Sequence, residues 1–209
     1  GVQTCALPIL MAIARQRVLI SGDAHSLSVR YGIAEAERLA GLGHGAARRW
    51  LGDRVSEGLT FSDLASLVVV AWLRRRRTPT RAVREVLTLA NGGTGLSVRR
   101  LDAALTWALT RRAAITVAGE ETESVRAILD QFDIRDDGFA RWWPLGRDGA
   151  IVVDPSRSFG RPIIARRGVA VDTIAEALAL QSVDEVAASY ALTADEVRSA
   201  SASMTHVSA

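Results

Sequence analysis

Apolar residues recur at helical spacing through most of this chain. Ile33, Ala36, Leu39 and Ala40 fall on one face of a short helix over Ile33 to Ala40, since a period of 3.6 brings such positions to one side. Gly41-Leu42-Gly43 breaks it, and a second short helix runs from His44 to about Leu51. Ser62 reads as the cap of a third helix through Arg77, with Leu64, Leu67, Val68, Ala71 and Trp72 at helical spacing. Thr78-Pro79 restarts the chain as N-cap and first helical residue. That fourth helix carries Val83, Val86, Leu87 and Ala90 and ends at Asn91-Gly92-Gly93. A fifth, Ser97 to Arg112, has Leu101, Leu105, Ala108 and Leu109 as its core stripe. Ahead of all of them, Val18-Leu19-Ile20 suits a strand or an arm.

After Arg112 the pattern changes. Ile115-Thr116-Val117 is strand-like, and Glu121 to Phe132 reads as an acidic helix. Arg141-Trp142-Trp143-Pro144 leads into Ala150-Ile151-Val152-Val153, then the turn-rich 154–160, then Pro162-Ile163-Ile164, which predicts a small β element. Three short helices close the chain, over Asp172 to Leu180, Val183 to Tyr190 and Ala194 to about Ser201. Ser182-x-x-Glu185 and Thr193-x-x-Glu196 are two capping boxes in succession, the firmest boundary signals in the sequence. The expected fold is mainly α. A helix-turn-helix domain over 11–112 is followed by a linker strand and acidic helix over 113–140. A β-hairpin with a trihelical, homeodomain-like module over 141–203 comes next, and 204–209 is an expected disordered tail.

Charge divides the chain in the same place. Ala12 to Arg112 carries 17 Arg against 8 Asp and Glu, a net of +9, whereas Ala113 to Ala209 carries 9 Arg against 15, a net of −6. A basic half suits a polyanion, because each neutralised phosphate releases condensed counterions. An acidic half is repelled by that polyanion and suits a basic protein. All 26 basic residues are Arg, which with the abundant Ala reflects a GC-rich genome and carries no functional weight. The longest strongly apolar run, Leu67 to Leu73, is far too short to span a bilayer, so no membrane role is expected. The first ten residues read as a translated sequencing-library adapter, with Met11 as the expected start. Cys5 lies within that stretch, so neither a disulfide framework nor a cysteine metal site is expected, and a cytoplasmic location fits.

Chemistry-bearing patterns are few. His25, His44 and His206 lack metal-site spacing, and Gly92-Gly93-Thr94-Gly95 lacks the Lys and the preceding strand of a phosphate loop. Asp130, Asp133, Asp136 and Asp137 cluster too tightly for a nuclease site and read as a solvated linker. No nucleophile–base set stands out, so no enzyme, cofactor or metal is expected. Tyr31 to Leu51 has the form of a helix-turn-helix, in which a second helix lies in a major groove while the first braces it. Arg48 and Arg49 would then meet phosphates, with His44 at the start of that helix and Arg54 just beyond it, while Trp50 and Leu51 pack onto the third helix. A plain helical hairpin with solvated arginines is the alternative. The run Arg74 to Arg77 suits either a second phosphate clamp or simple cation placement at a negative helix C-terminus.

Two family resemblances rest on these segments. Residues 33–51, IAEAERLAGLGHGAARRWL, resemble the MerR-type helix-turn-helix, with departures at Gly43 and at Gly45-Ala46, which offer no side chains for base edges. Residues 151–200, with Asp154-Pro155, Phe159-Gly160-Arg161-Pro162 and a paired-helix ending around Val186-Ala187, Tyr190 and Val197, resemble the small module of unknown function found in many VapB-type antitoxins. Leu59 to Leu87 looks like the helical part of the longer, two-domain members. The resemblance implies an antitoxin of a type II toxin–antitoxin pair, autorepressing its operon as a homodimer on operator DNA and neutralising a PIN-like ribonuclease toxin. Phe159 is expected to anchor the turn on the last helices. With Arg161, Asp195 and Glu196 it forms the expected partner-binding set. The serine- and alanine-rich end, from Ser199 onwards, departs from the family's charged or aromatic ending. The main rival is a stand-alone MerR-like regulator whose C-terminal half senses a ligand or protein. A second rival is a scaffold whose basic helices bind protein.

Overall fold

The computed structural model describes residues 30–52, 55, 58–91, 96–112 and 126–208. The expected elements over 18–20 and 115–117 lie outside these residues, as does Arg54. The fold is mainly helical with a small antiparallel sheet, as the sequence pattern predicts. Five helices come first: α1 (Ile33–Leu39), α2 (Ala46–Leu51), α3 (Phe61–Arg75), α4 (Thr80–Ala90) and α5 (Val98–Arg112). Strands β1 (Phe132–Arg135), β2 (Gly138–Trp142), β3 (Ile151–Val153) and β4 (Pro162–Ile164) follow, then α6 (Val171–Leu178), α7 (Val183–Tyr190) and α8 (Ala194–Ser208).

α3 is the axis of the helical half. Its residues from Leu64 to Leu73 are all buried, which explains why the run Leu67 to Leu73 is apolar on every side. Its cap is Thr60, not Ser62: Thr60 Oγ1 accepts from Asp63 N–H at 3.2 Å while the Asp63 carboxylate accepts from Thr60 N–H at 2.9 Å. Ser62 instead accepts from Leu96 N–H at 2.9 Å, tying the chain ahead of α5 to α3. Pro79 rather than Thr78 occupies the cap of α4, and the buried Thr78 hydroxyl has no hydrogen-bond partner among the described residues.

The acidic segment is a structural joint. Of the helix expected over Glu121 to Phe132, residues 121–125 lie outside the described set; 126–129 are helical, and the helix ends there because Phe132 opens β1. Asp136 and Asp137 both take positive φ, 48° and 66°, and form the two-residue turn between β1 and β2. Such a turn follows the natural twist of a hairpin. Asp137 then caps α5. Its carboxylate accepts from Ser97 Oγ at 2.7 Å and from Arg99 N–H at 2.9 Å, and its carbonyl accepts from Val98 N–H at 3.1 Å. The Ser97 hydrogen bond, followed by the Arg99 N–H, holds this carboxyl below its ordinary pKa. A solvated linker is therefore the wrong description of Asp137, although Asp130 and Asp136 are exposed. Asp133 likewise pairs with Arg147 at 2.8 Å.

The four strands form an antiparallel meander in sequence order, with a bulge between Asp133 and Ile134. Phe132 meets Phe139 edge-on at 4.6 Å and stacks with Trp142 at 6.4 Å. These rings join α1 to α5 in one hydrophobic core that reaches Val153 of β3. A second core gathers Ile151 and Ile164 with Val171, Ile174, Val186 and Val197 of the last three helices. β3 thus feeds both cores, and all three of its residues are buried.

The two capping boxes are present as read. Ser182 and Glu185 exchange bonds at the start of α7, and Thr193 N–H donates to Glu196 at 2.7 Å while Glu196 N–H donates to Thr193 Oγ1 at 3.1 Å. α8 does not stop near Ser201. It continues to Ser208, so the expected disordered tail 204–209 is helical backbone through Ser208; no Gly or Pro interrupts it. Arg166 forks onto both Glu196 oxygens at 2.9 and 2.8 Å and onto the Ala191 carbonyl at 3.0 Å, pinning the α7–α8 turn. The Arg166 guanidinium, above all, holds the Glu196 carboxyl down at about 2 against an ordinary 4.5.

That lowered pKa fixes a direction. The pair stabilises the fold fully above pH 4.5 and the contribution disappears as pH falls toward 2. Glu196→Gln is expected to cost about 1 kcal/mol at neutral pH and to remove this share of the acid-induced loss. Urea titrations of both chains across that pH range read it; an identical acid dependence would show that the pair is not coupled to folding.

Candidate functional site

The Tyr31–Leu51 segment folds as two short helices joined by a glycine turn. Gly41 and Gly45 both take positive φ, 66° and 79°, the conformation that a side chain disfavours. A buried carboxylate holds the turn. Glu37, 3% exposed, accepts from Ala47 N–H at 2.8 Å through Oε1, and its carbonyl accepts from Leu42 N–H at 2.8 Å. The side chain thus reaches across from α1 to satisfy an otherwise unpaired donor in the first turn of α2. Glu37 was missed as a site-forming residue, yet it lies one residue past Ala36 and three before Ala40, on the face that periodicity assigns to the core.

Arg48 and Arg49 are exposed and have no side-chain partner among the described residues. Trp50 and Leu51 pack against the first core, as expected. His44 is 97% exposed, with Nδ1 3.7 Å from Glu37 Oε2. It shares a cleft of about 210 Å³ with Arg49, Trp50, Arg74 and Thr80 at the start of α4. One arginine of the 74–77 run therefore joins the residues singled out on α2. The others differ: Arg76 lies over the Trp72 ring at 4.4 Å and Arg77 turns the chain with φ of 57°. Two cations and a histidine around one small cleft make a surface suited to a phosphate group.

The second candidate surface surrounds the Asp154–Pro162 turn. Asp154 is buried, and its Oδ1 accepts from Ser156 N–H at 2.9 Å and Ser156 Oγ at 2.6 Å, while Arg141 Nε lies 2.8 Å from Oδ2. Ser158, Phe159 and Gly160 then take positive φ in succession, 47°, 56° and 74°. This turns Phe159 outward: the ring is 85% exposed and anchors nothing on the last helices. The expected anchoring role is thus overturned. The neighbouring Gly160 carbonyl instead accepts a bond from the buried Tyr31 hydroxyl at 3.2 Å. Burial, then the nearby Glu35 and Asp154 carboxylates, push that phenol well above its ordinary pKa.

Of the other expected partner-binding residues, Arg161 is paired with Asp172 at 3.1 Å. Asp195 is 91% exposed and, among the described residues, pairs with Arg198 at 2.6 Å. Glu196, with a side chain 14% exposed, is occupied by Arg166 and the helix cap. It serves the fold and is not free for a partner. Phe159 and Asp195 face solvent most fully, while Arg161 is half exposed and held by Asp172.

A non-glycine residue in left-handed backbone carries strain of about 1–2 kcal/mol, and an exposed ring returns little burial. Phe159→Gly is therefore expected to leave stability unchanged or raise it by up to about 1 kcal/mol. A ring packed on the helices would instead cost about 3 kcal/mol or more on removal. Thermal unfolding separates the two cases.

Comparison with known proteins adds a match over one segment and a similar fold. Residues 151–202 match the model of a family described as a protein of unknown function, DUF433. No curated protein matches the chain significantly. Among solved structures, the X-ray crystal structure of Rv2018 from Mycobacterium tuberculosis is similar, with a TM-score of 0.65 and 23% identity over 84% of this chain and 99% of that one. At that identity the likeness speaks for the fold alone. It extends the shared architecture beyond the matched C-terminal module to the helices in front of it.

Proposed function

We propose that this chain is a DNA-binding antitoxin of a type II toxin–antitoxin pair, with no catalytic step of its own. The observation that carries the reading is the α1–α2 hairpin. It displays Arg48 and Arg49 without partners among the described residues and opens on a cleft with His44 and Arg74, in the half of the chain with net charge +9. Phosphates of an operator meet these cations, with positioning from the arginines and little base readout from Gly45 and Ala46. A two-fold operator would take two copies of the chain. The acidic half, with net charge −6, meets a basic ribonuclease of the PIN-like kind. There the Phe159 ring, held out in water on strained backbone, is the apolar contact.

Growth tests the reading. Induction of the small open reading frame beside this gene is expected to arrest cells, and co-expression of the chain to restore them. Phe159→Gly should lose the rescue while keeping DNA binding. Arg48→Ala with Arg49→Ala should keep the rescue but lower the salt slope of DNA binding by about 2. A harmless neighbour, or arrest that persists with the intact chain, would leave the stand-alone regulator as the better reading. Absence of DNA binding even at low salt would reject both.

A further inference from the structure

We propose that the cavity between the helix-turn-helix and the C-terminal module binds a small organic anion with an apolar body. This goes beyond the antitoxin reading and does not depend on it. The cavity measures about 400 Å³ and lies where α1, α3, the sheet, α6 and α8 converge. Such a volume falls within the range of small-molecule sites.

Its floor and its rim differ in chemistry. Leu39, Trp142, Leu145 and Val171 supply its apolar surface, over the buried Val68 and Ile151 of the two cores. Arg38, Arg75 and Arg161 line the same space. The Arg161 charge is met by Asp172, and Glu35 is engaged at the start of α1, where Oε2 accepts from Gly32 N–H at 3.3 Å. Arg38 and Arg75 have no hydrogen-bond or ion-pair partner among the described residues. Three arginines against the Glu35 and Asp172 carboxylates leave this rim with a net charge of +1, and two of its guanidinium groups keep free donors at the edge of an apolar hollow. A carboxylate or similar headgroup supplies the counter-charge, with two forked donor sets available, while the floor takes an aromatic or aliphatic body. A nucleic-acid phosphate would satisfy the arginines but make no use of Trp142, Leu145 and Val171, so a compact amphiphilic anion fits better than DNA.

Isothermal titration calorimetry on the whole chain tests this with benzoate, octanoate and indole-3-acetate, beside benzyl alcohol and tryptophol as neutral counterparts. At least one carboxylate is expected to bind once per chain with Kd below about 1 mM, with its alcohol about tenfold weaker or more. Arg38→Ala with Arg75→Ala should weaken that carboxylate by about tenfold or more without altering the circular dichroism spectrum. The single Arg75→Gln variant, at an exposed position without a partner, should weaken it in the same direction at unchanged Tm. Failure of all three carboxylates to bind below about 1 mM would overturn the proposal. So would equal binding of acid and alcohol, or wild-type affinity in Arg75→Gln.

Discussion

Tyr31 is held at three points, and the relation between the two halves of the chain depends on it. Its backbone N–H and carbonyl pair with Leu59 at 2.7 and 3.0 Å, which fixes the entry to α1 against the entry to α3. Its hydroxyl donates to the carbonyl of Gly160, in the strained turn of the C-terminal module. The ring is buried, so this bond has no water to replace it, and a buried polar group left unpaired is costly. One side chain thus sets the basic hairpin against the turn that carries Phe159.

β3 reinforces this arrangement. A three-residue strand that serves two cores cannot move toward one without disturbing the other. The cavity lined by Arg38 and Arg75 lies along the same seam, as does the contact of α8 with α1. The exposed cations on α2 and the exposed ring of Phe159 are therefore separate surfaces on a connected frame, not the ends of a flexible tether.

Much of this was legible from residue pattern. The helical spacing of α1, α3, α4 and α5, the turn at Asp154-Pro155 and both capping boxes follow from local rules, and local rules suffice where neighbours in sequence are neighbours in space. The joints were not legible. Asp137 caps a helix that begins 39 residues earlier, and Tyr31 meets Gly160 across 129 positions. No periodicity encodes such pairings. Phe159 shows the same limit from the other side: an aromatic residue in a turn normally packs, and only the run of positive φ reveals that this one is turned out. Charge counting placed the basic half correctly on the chain but missed that Glu196 is consumed by Arg166 and that Glu37 is needed inside the hairpin.

Native-state hydrogen exchange tests most directly whether the two halves behave as one frame. Slowly exchanging amides of α3, such as those of Val69 and Val70, and the β3 amide of Val153 should open with the same free energy, because they share a core and a joint. Opening of the helical half at distinctly lower free energy, with β3 still protected, would contradict the account and return the chain to two independent domains.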